Sequence, residues 1–350
     1  MVSKKLINIG ADVEDTYFKF QQQAISDIVD ALHKNDIVDV LFTEGVALEE
    51  LNYKEKKFLS ILEEICERNN WPKNKINFIL PNLVQNKSVW PSIELGGASI
   101  LIDNDLTENI FLGLQAENIK TKKDIQKTFG IFVNRSQWDR LLLSGHLYNN
   151  HREITMQTYR KDLVNPGDMI ELGIDQLFWK LSSNNSLDAP AIQQLCNFIS
   201  SLPHDRGSNW SRINQQSTVD NDIMSWYNNI FIDVVCEKMV TGQVFFPTEK
   251  TARPLATKTP FLIMAAPNYI KNLHKLGFRS FRKFWDESYD YQQGVQRTES
   301  IQRIIDELAR LPINELRDMY QEMSPILEHN YKLYMDLTGE KILSTFGQKI

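Results

Sequence analysis

Short apolar runs alternate with amphipathic stretches along this chain, and the alternation recurs in two blocks. In the first block, Lys5-Leu6-Ile7-Asn8-Ile9-Gly10, Ile37–Phe42, Ile76–Leu80 and Ala98–Ile102 read as strands. Between them, 15–34 reads as a helix with Phe18, Phe20, Ile25, Ile28, Val29 and Leu32 on or near one face, and the charged stretch 47–69 as another. Helices inserted between strands allow parallel neighbours, because a parallel crossover needs a dozen or more residues.

Polar sequence containing Lys120-Thr121-Lys122-Lys123 interrupts the pattern between about 104 and 127. The second block then runs through strand Phe129–Val133, helix 136–148, strand Ile154–Tyr159, helices near 171–181 and 189–201, and strand Phe231–Val235. It closes with strand 260–265, helix 268–276 and a mostly helical tail over 293–337 that breaks at Pro312. A chain of 350 residues, 42% of them hydrophobic, can fill two sizeable cores. The expectation is therefore α/β with two domains, each a parallel sheet with covering helices: 1–120, 121–311, and C-terminal helices over 312–350 placed to pack back on the first domain. The polar run 204–222 reads as a long loop of the kind that serves binding.

A net charge of −6 disfavours nucleic acid as a partner, since that affinity comes largely from neutralised phosphates. Cys66, Cys196 and Cys236 have neither zinc nor disulfide spacing, which fits a reducing cytoplasm. No apolar run approaches the ~20 residues of a membrane span, and the amino terminus carries no secretory pattern, so a cytoplasmic protein is expected.

The stretch with most chemical content is Phe245-Phe246-Pro247-Thr248-Glu249-Lys250-Thr251-Ala252-Arg253-Pro254-Leu255. Thr248 can cap a helix whose free N–H groups, with Lys250, meet phosphate oxygens, while Glu249 accepts hydrogen bonds from hydroxyls. Those are the demands of a sugar nucleotide. Between 241 and 285 the bases are Lys250, Arg253, Lys258, Lys271, Lys275, Arg279, Arg282 and Lys283, and Glu249 is the sole acid. In an acidic chain this marks a local site for anions, of which two or three side chains are expected to meet the ligand. Asn134-Arg135-Ser136-Gln137-Trp138-Asp139-Arg140 follows a strand and opens a helix, so that Arg135 or Arg140 can fork onto a diphosphate.

Glu237, twelve residues before Glu249, together with Phe246-Pro247-Thr248-Glu249-Lys250 and Arg253-Pro254-Leu255, resembles the donor-binding signature of the α-1,3-fucosyltransferase family. That signature is a Phe-Glu-Asn turn followed by Tyr-x-Thr-Glu-Lys. Pro260-Phe261, Gly277-Phe278-Arg279-Ser280-Phe281 and Glu287-Ser288-Tyr289-Asp290 are similar to segments of phage and bacterial fucosyltransferase-like proteins. Over roughly 129–310, the resemblance implies a GT-B type fold, two Rossmann-like domains facing across a cleft with the nucleotide sugar held by the second. It implies donor contacts from Arg140, Glu237, Phe246, Thr248, Glu249, Lys250 and Arg253, with a GDP-sugar favoured and no cofactor required. Lys238 stands where the family has asparagine, and Phe246 keeps the ring of the family's tyrosine without its hydroxyl.

The expected activity is inverting transfer of a sugar from a nucleotide-diphosphate sugar to a hydroxyl acceptor, whether glycan, lipid-linked or other. Such a reaction needs a base on the acceptor side, for which Glu94, before Gly96-Gly97, and Glu44 are the candidates, with Asp12 behind them. Two further readings stay open: a catalytically degenerate binding or effector protein, and a sugar transferase acting on modified DNA bases. A divalent metal is not favoured, although Asp103-Asn104-Asp105 and Asp220-Asn221-Asp222 have the form of a metal-diphosphate pair. The six histidines show no metal spacing, and His146 and His151 read as part of a helix and its exit.

Overall fold

The structure is a computed structural model that describes residues 3–9, 17–42, 58–80, 82–95, 111–116, 123–133, 136–159, 189–202 and 221–347. The expected strand 98–102 and helix 171–181 lie outside these residues, as do Asp12, Glu44, Asp103, Asp105, Arg135 and Asp220. Asn221 and Asp222 open a short helix, Asn221–Trp226, rather than a loop.

The chain forms two compact units. In the first, strands β1 (Lys4–Ile9), β2 (Ile37–Phe42), β3 (Ile76–Leu80) and β4 (Ile93–Leu95) pair in that order, all parallel. Helices α1 (Tyr17–Lys34) and α2 (Phe58–Arg68) lie between them in sequence. Both feed one core: Ala24, Ile28, Ala31 and Leu32 of α1, at 0, 4, 7 and 8, meet Val38, Val40, Phe42, Leu62, Ile76, Phe78 and Leu80. Sequential parallel strands joined by crossovers of one hand place their helices on one face, which this shared core reflects. Trp90 closes the core, with Nε1 donating to the Ile76 carbonyl at 3.2 Å.

In the second unit β5 (Lys127–Val133), β6 (Thr155–Tyr159), β7 (Ile230–Cys236) and β8 (Phe261–Met264) form a parallel sheet in the order β6-β5-β7-β8. Every residue of β7 and β8 is buried, as expected of strands covered on both faces. The covering helices are α3 (Trp138–His151), α4 (Ala189–Ser200), α5 (Asn221–Trp226), α6 (Glu249–Ala256), α7 (Tyr269–Lys275), α8 (Gly294–Leu308) and α9 (Ile313–Met335). The chain leaves β5 for β6 on one side and returns to β7 on the other, so β5 and β7 flank a topological switch point. In open α/β sheets ligands bind beyond the strand ends at such a point.

The division of the chain differs from the expected one. The first unit takes Met1–Asn109, Thr241–Phe246 and Gly339–Ile350, and the second takes Ile110–Val240 and Pro247–Thr338. Helix α9 thus belongs to the second unit, and a last helix, α10 (Gly339–Thr345), to the first. Phe245 explains the short insertion: its N–H and carbonyl pair with Val84 and Leu83, and its ring meets Phe346 at 5.3 Å between centroids. Sequence periodicity cannot register a six-residue segment that crosses units. Among the described residues no helix is long and apolar enough to cross a membrane.

Candidate functional site

The Thr248-Glu249-Lys250 turn sits at the start of α6, and the chain passes from the first unit to the second between Phe246 and Pro247, two residues earlier. Thr248 is extended (φ −125, ψ −176) and its hydroxyl accepts the Lys250 N–H at 3.3 Å, the N-cap the sequence indicates. The same hydroxyl donates to Glu237 Oε2 at 2.6 Å.

Glu237 plays a different part from the one the resemblance implies. It follows β7 directly, is fully buried, and has both carboxylate oxygens engaged by the protein. Oε1 accepts the Thr248 N–H at 3.1 Å, the Thr251 hydroxyl at 2.5 Å and the Tyr269 hydroxyl at 3.1 Å. Oε2 accepts the Thr248 hydroxyl and the Lys238 N–H, the latter at 3.3 Å. The carboxylate is therefore the strut that ties the end of β7 to the start of α6. Phe246 is likewise buried, 4% exposed, and offers no face to a ligand.

Arg140, in the first turn of α3 after β5, is also buried, and its Nη2 donates to the Glu237 carbonyl at 3.1 Å. One guanidinium thus links the segments that leave β5 and β7, the two strands flanking the switch point. Beside them a small opening in the second unit is lined by Val234, Val235, Cys236, Lys250 and Arg253, together with Phe132, Tyr227 and Asp233. Of the eight bases between 241 and 285, Lys250 and Arg253 border it. Lys258 instead pairs with Glu328 at 2.6 Å, Lys275 bonds Asn272 on its own helix, and Lys271, Arg279, Arg282 and Lys283 are exposed.

Lys250 Nζ lies 2.7 Å from Glu249 Oε1, with each side chain about one quarter to one fifth exposed. Burial works to raise the Glu249 carboxyl, but Lys250 and Arg253 outweigh it and hold the group down at about 2. Glu249 is thus an anion at any physiological pH, able to accept hydrogen bonds, within a cluster whose net charge is positive.

The lining of the opening includes a polar group that sequence reasoning missed. Asp233, in mid β7, accepts the Tyr227 hydroxyl at 2.6 Å. Burial pushes it up to about 7, against the pull of Tyr227, Arg253 and Lys123. Lys123 Nζ donates to the Tyr227 carbonyl at 2.5 Å and the Thr259 hydroxyl at 2.7 Å, and burial lowers it to about 7, with Asp233 opposing. The signal in the sequence was a lone acid inside the apolar run Ile230–Cys236, and Lys123 stood there within the basic cluster Lys120-Thr121-Lys122-Lys123. An acid raised above its reference value of 3.8 stabilises the fold at low pH and loses that contribution as pH rises through about 7. Asp233→Asn is therefore expected to gain stability relative to the parent between pH 5 and pH 8, by on the order of a few kcal/mol. Unfolding midpoints at the two pH values check this, and a difference that does not change with pH contradicts it.

The remaining segments quoted for the resemblance are scaffold. Gly277, at φ 99, ends α7 with its N–H on the His274 carbonyl and the Phe278 N–H on the Leu273 carbonyl, a Schellman turn that buries Phe278. Asp290 accepts the N–H groups of Ile270 and Lys271 at the start of α7 and pairs with the buried Arg297. Glu94 lies in the middle of β4, exposed, rather than in a loop after a strand.

No protein-family model matches the chain, and no curated protein does. Two solved structures align over 95% of it at 11% identity. One is a trehalose-6-phosphate synthase studied with bisubstrate glycomimetics for glycosyltransfer with retention, 79% covered at a TM-score of 0.35. The other is OtsA in its apo form, 78% covered at a TM-score of 0.36. Likeness at that level carries no argument about donor, acceptor or stereochemistry, and the fucosyltransferase-like resemblance finds no support in these comparisons. The α/β class, with two parallel sheets, stands on the strand pairing itself.

Proposed function

We propose that this chain is a glycosyltransferase of GT-B type that binds a nucleotide-diphosphate sugar beyond the strand ends of its second sheet and transfers the sugar to a hydroxyl acceptor. The observation that carries this reading is the joining of both switch-point segments at one place: Arg140 holds the Glu237 carbonyl, and Lys250 and Arg253 border the opening alongside. Cations placed there stabilise the charge that develops on a departing diphosphate. Ionised Glu249 accepts hydrogen bonds from ribose or sugar hydroxyls, and the three bases supply positive charge without calling on a metal. The proton of the acceptor hydroxyl goes to a carboxylate, for which Glu94 and Glu44 are proposed, as an inverting transfer requires.

The test separates binding from turnover. Lys250→Ala and Arg253→Ala are expected to weaken nucleoside diphosphate binding by about tenfold or more each, as loss of a charge-assisted contact does. Arg140→Ala is expected to weaken it too, through the lost link to Glu237. Glu94→Gln is expected to lower turnover with donor affinity unchanged. Calorimetric titration and a product assay read both, and unchanged affinity in the first two variants sinks the donor-site assignment.

A further inference from the structure

Three metal-ligating side chains meet at the other end of α3 from Arg140. His146 and His151 come from α3, and Asp306 from α8, 155 to 160 residues later in the chain. His146 Nε2 lies 2.8 Å and His151 Nε2 2.6 Å from the same oxygen, Asp306 Oδ1. One ligating atom from each group falls within 4.8 Å of the others. Arg140 stands eleven residues before His151, about 16 Å along a helix axis, so this cluster is separate from the proposed donor site.

The electrostatics of the place call for a cation. Asp306 sits in the last turn of α8, where the helix macrodipole disfavours an anion, and that turn holds no basic residue. His151 is the last residue of α3, so a second helix presents its negative end to the same point. Among the described residues no lysine or arginine pairs with Asp306. Arg152, the nearest in sequence, lies over the Tyr148 ring at 4.9 Å.

The ligands are also held in place. The Asn150 side-chain Nδ2 lies 3.1 Å from His146 Nδ1 and steadies the ring; an ion at Nε2 puts the ring proton on Nδ1, and the amide then turns its oxygen to accept it. Gln302, one turn before Asp306, bonds the Leu142 carbonyl, one turn before His146, so the two helices meet along one seam. The side chains are 13%, 16% and 39% exposed, which admits an ion and leaves room for water in its remaining positions. Two imidazoles and one carboxylate suit a borderline ion of the zinc class, at about 2.0–2.2 Å from each atom.

We propose that His146, His151 and Asp306 bind one divalent transition-metal ion of the zinc class, clamping the C-terminal ends of α3 and α8 together. The signal was invisible in the sequence because the third ligand is remote and a His-x4-His spacing by itself is not diagnostic.

The test uses the full chain carrying Cys196→Ser, so that the exposed thiol adds no ligand. After chelation and dialysis, zinc chloride is titrated calorimetrically at pH 7.5, and cobalt(II) binding is followed by its visible absorption. The expected result is one equivalent per chain, a raised unfolding midpoint with zinc, and cobalt bands typical of nitrogen and oxygen ligation. His146→Gln/His151→Gln is expected to lose that equivalent while keeping its far-ultraviolet circular dichroism. Asp306→Asn, which retains hydrogen bonding to both imidazoles, is expected to bind at least tenfold more weakly and covers the case in which the double variant does not fold. No stoichiometric binding by the parent, or equal binding by parent and Asp306→Asn, overturns the proposal. So does a midpoint that follows pH alone and ignores zinc, which would make the cluster a tie held by protons.

Discussion

Replacing Glu237 by alanine is expected to lower the stability of the second unit by about 3–5 kcal/mol and to abolish ligand binding with it. The substitution leaves two backbone N–H groups and three hydroxyls without the acceptor they share: those of Thr248, Lys238, Thr251 and Tyr269. Glutamine keeps the volume but does not restore the site. Each carboxylate oxygen faces one backbone N–H, Thr248 on Oε1 and Lys238 on Oε2, so either orientation of an amide turns its NH2 toward a donor. Hydroxyls can rotate to compensate and backbone groups cannot, which places Glu237→Gln between the parent and Glu237→Ala. Chemical unfolding of the three proteins measures the order, and a loss below about 1 kcal/mol for Glu237→Ala contradicts the strut.

Arg297→Leu is the second large loss expected, about 3–5 kcal/mol. The guanidinium is fully buried and donates to the carbonyls of Ile263 (3.0 Å), Asp290 (3.1 Å) and Ala266 (3.4 Å) and to Asp290 Oδ1 (3.2 Å). It also lies over the Tyr289 ring at 5.3 Å. Leucine fills part of the space but leaves the Asp290 carboxylate without its cation, and that carboxylate also starts α7 through Ile270 and Lys271. Lysine restores charge without the planar fork, so Arg297→Lys is expected to recover only part of the loss. Thermal unfolding with near-ultraviolet circular dichroism reads both, and equal midpoints for leucine and parent contradict the role.

These two residues show where sequence reading reached and where it stopped. The fold class was legible because each strand is a short apolar run between amphipathic stretches. Predicted and observed bounds of β2 and β3 coincide, and those of β5 to β8 differ by a residue or two. The short β4 escaped, since three residues carry no period. The cap at Thr248 was legible because capping is a local act of neighbouring residues. The partners of Glu237 were not: Thr251 and Tyr269 reach it only once α6 and α7 are packed. For the same reason a motif that resembles a donor signature contains residues whose observed work is internal, Glu237 and Phe246 in one stretch and Gly277 and Asp290 downstream. What it leaves facing outward is Glu249, Lys250 and Arg253.

The central claim, that the opening bordered by Lys250 and Arg253 binds the diphosphate of a sugar nucleotide, is tested most directly by a thermal-shift panel of GDP-, UDP-, ADP-, CMP- and TDP-linked ligands on the parent chain and on Lys250→Ala/Arg253→Ala. A ligand that binds the native fold stabilises it by mass action, by about 2.7 kcal/mol at a hundred times its dissociation constant, and so raises its midpoint. The account predicts a shift with at least one diphosphate-linked ligand in the parent and its loss in the double variant. A flat response across the panel, or the same shift in both proteins, contradicts it.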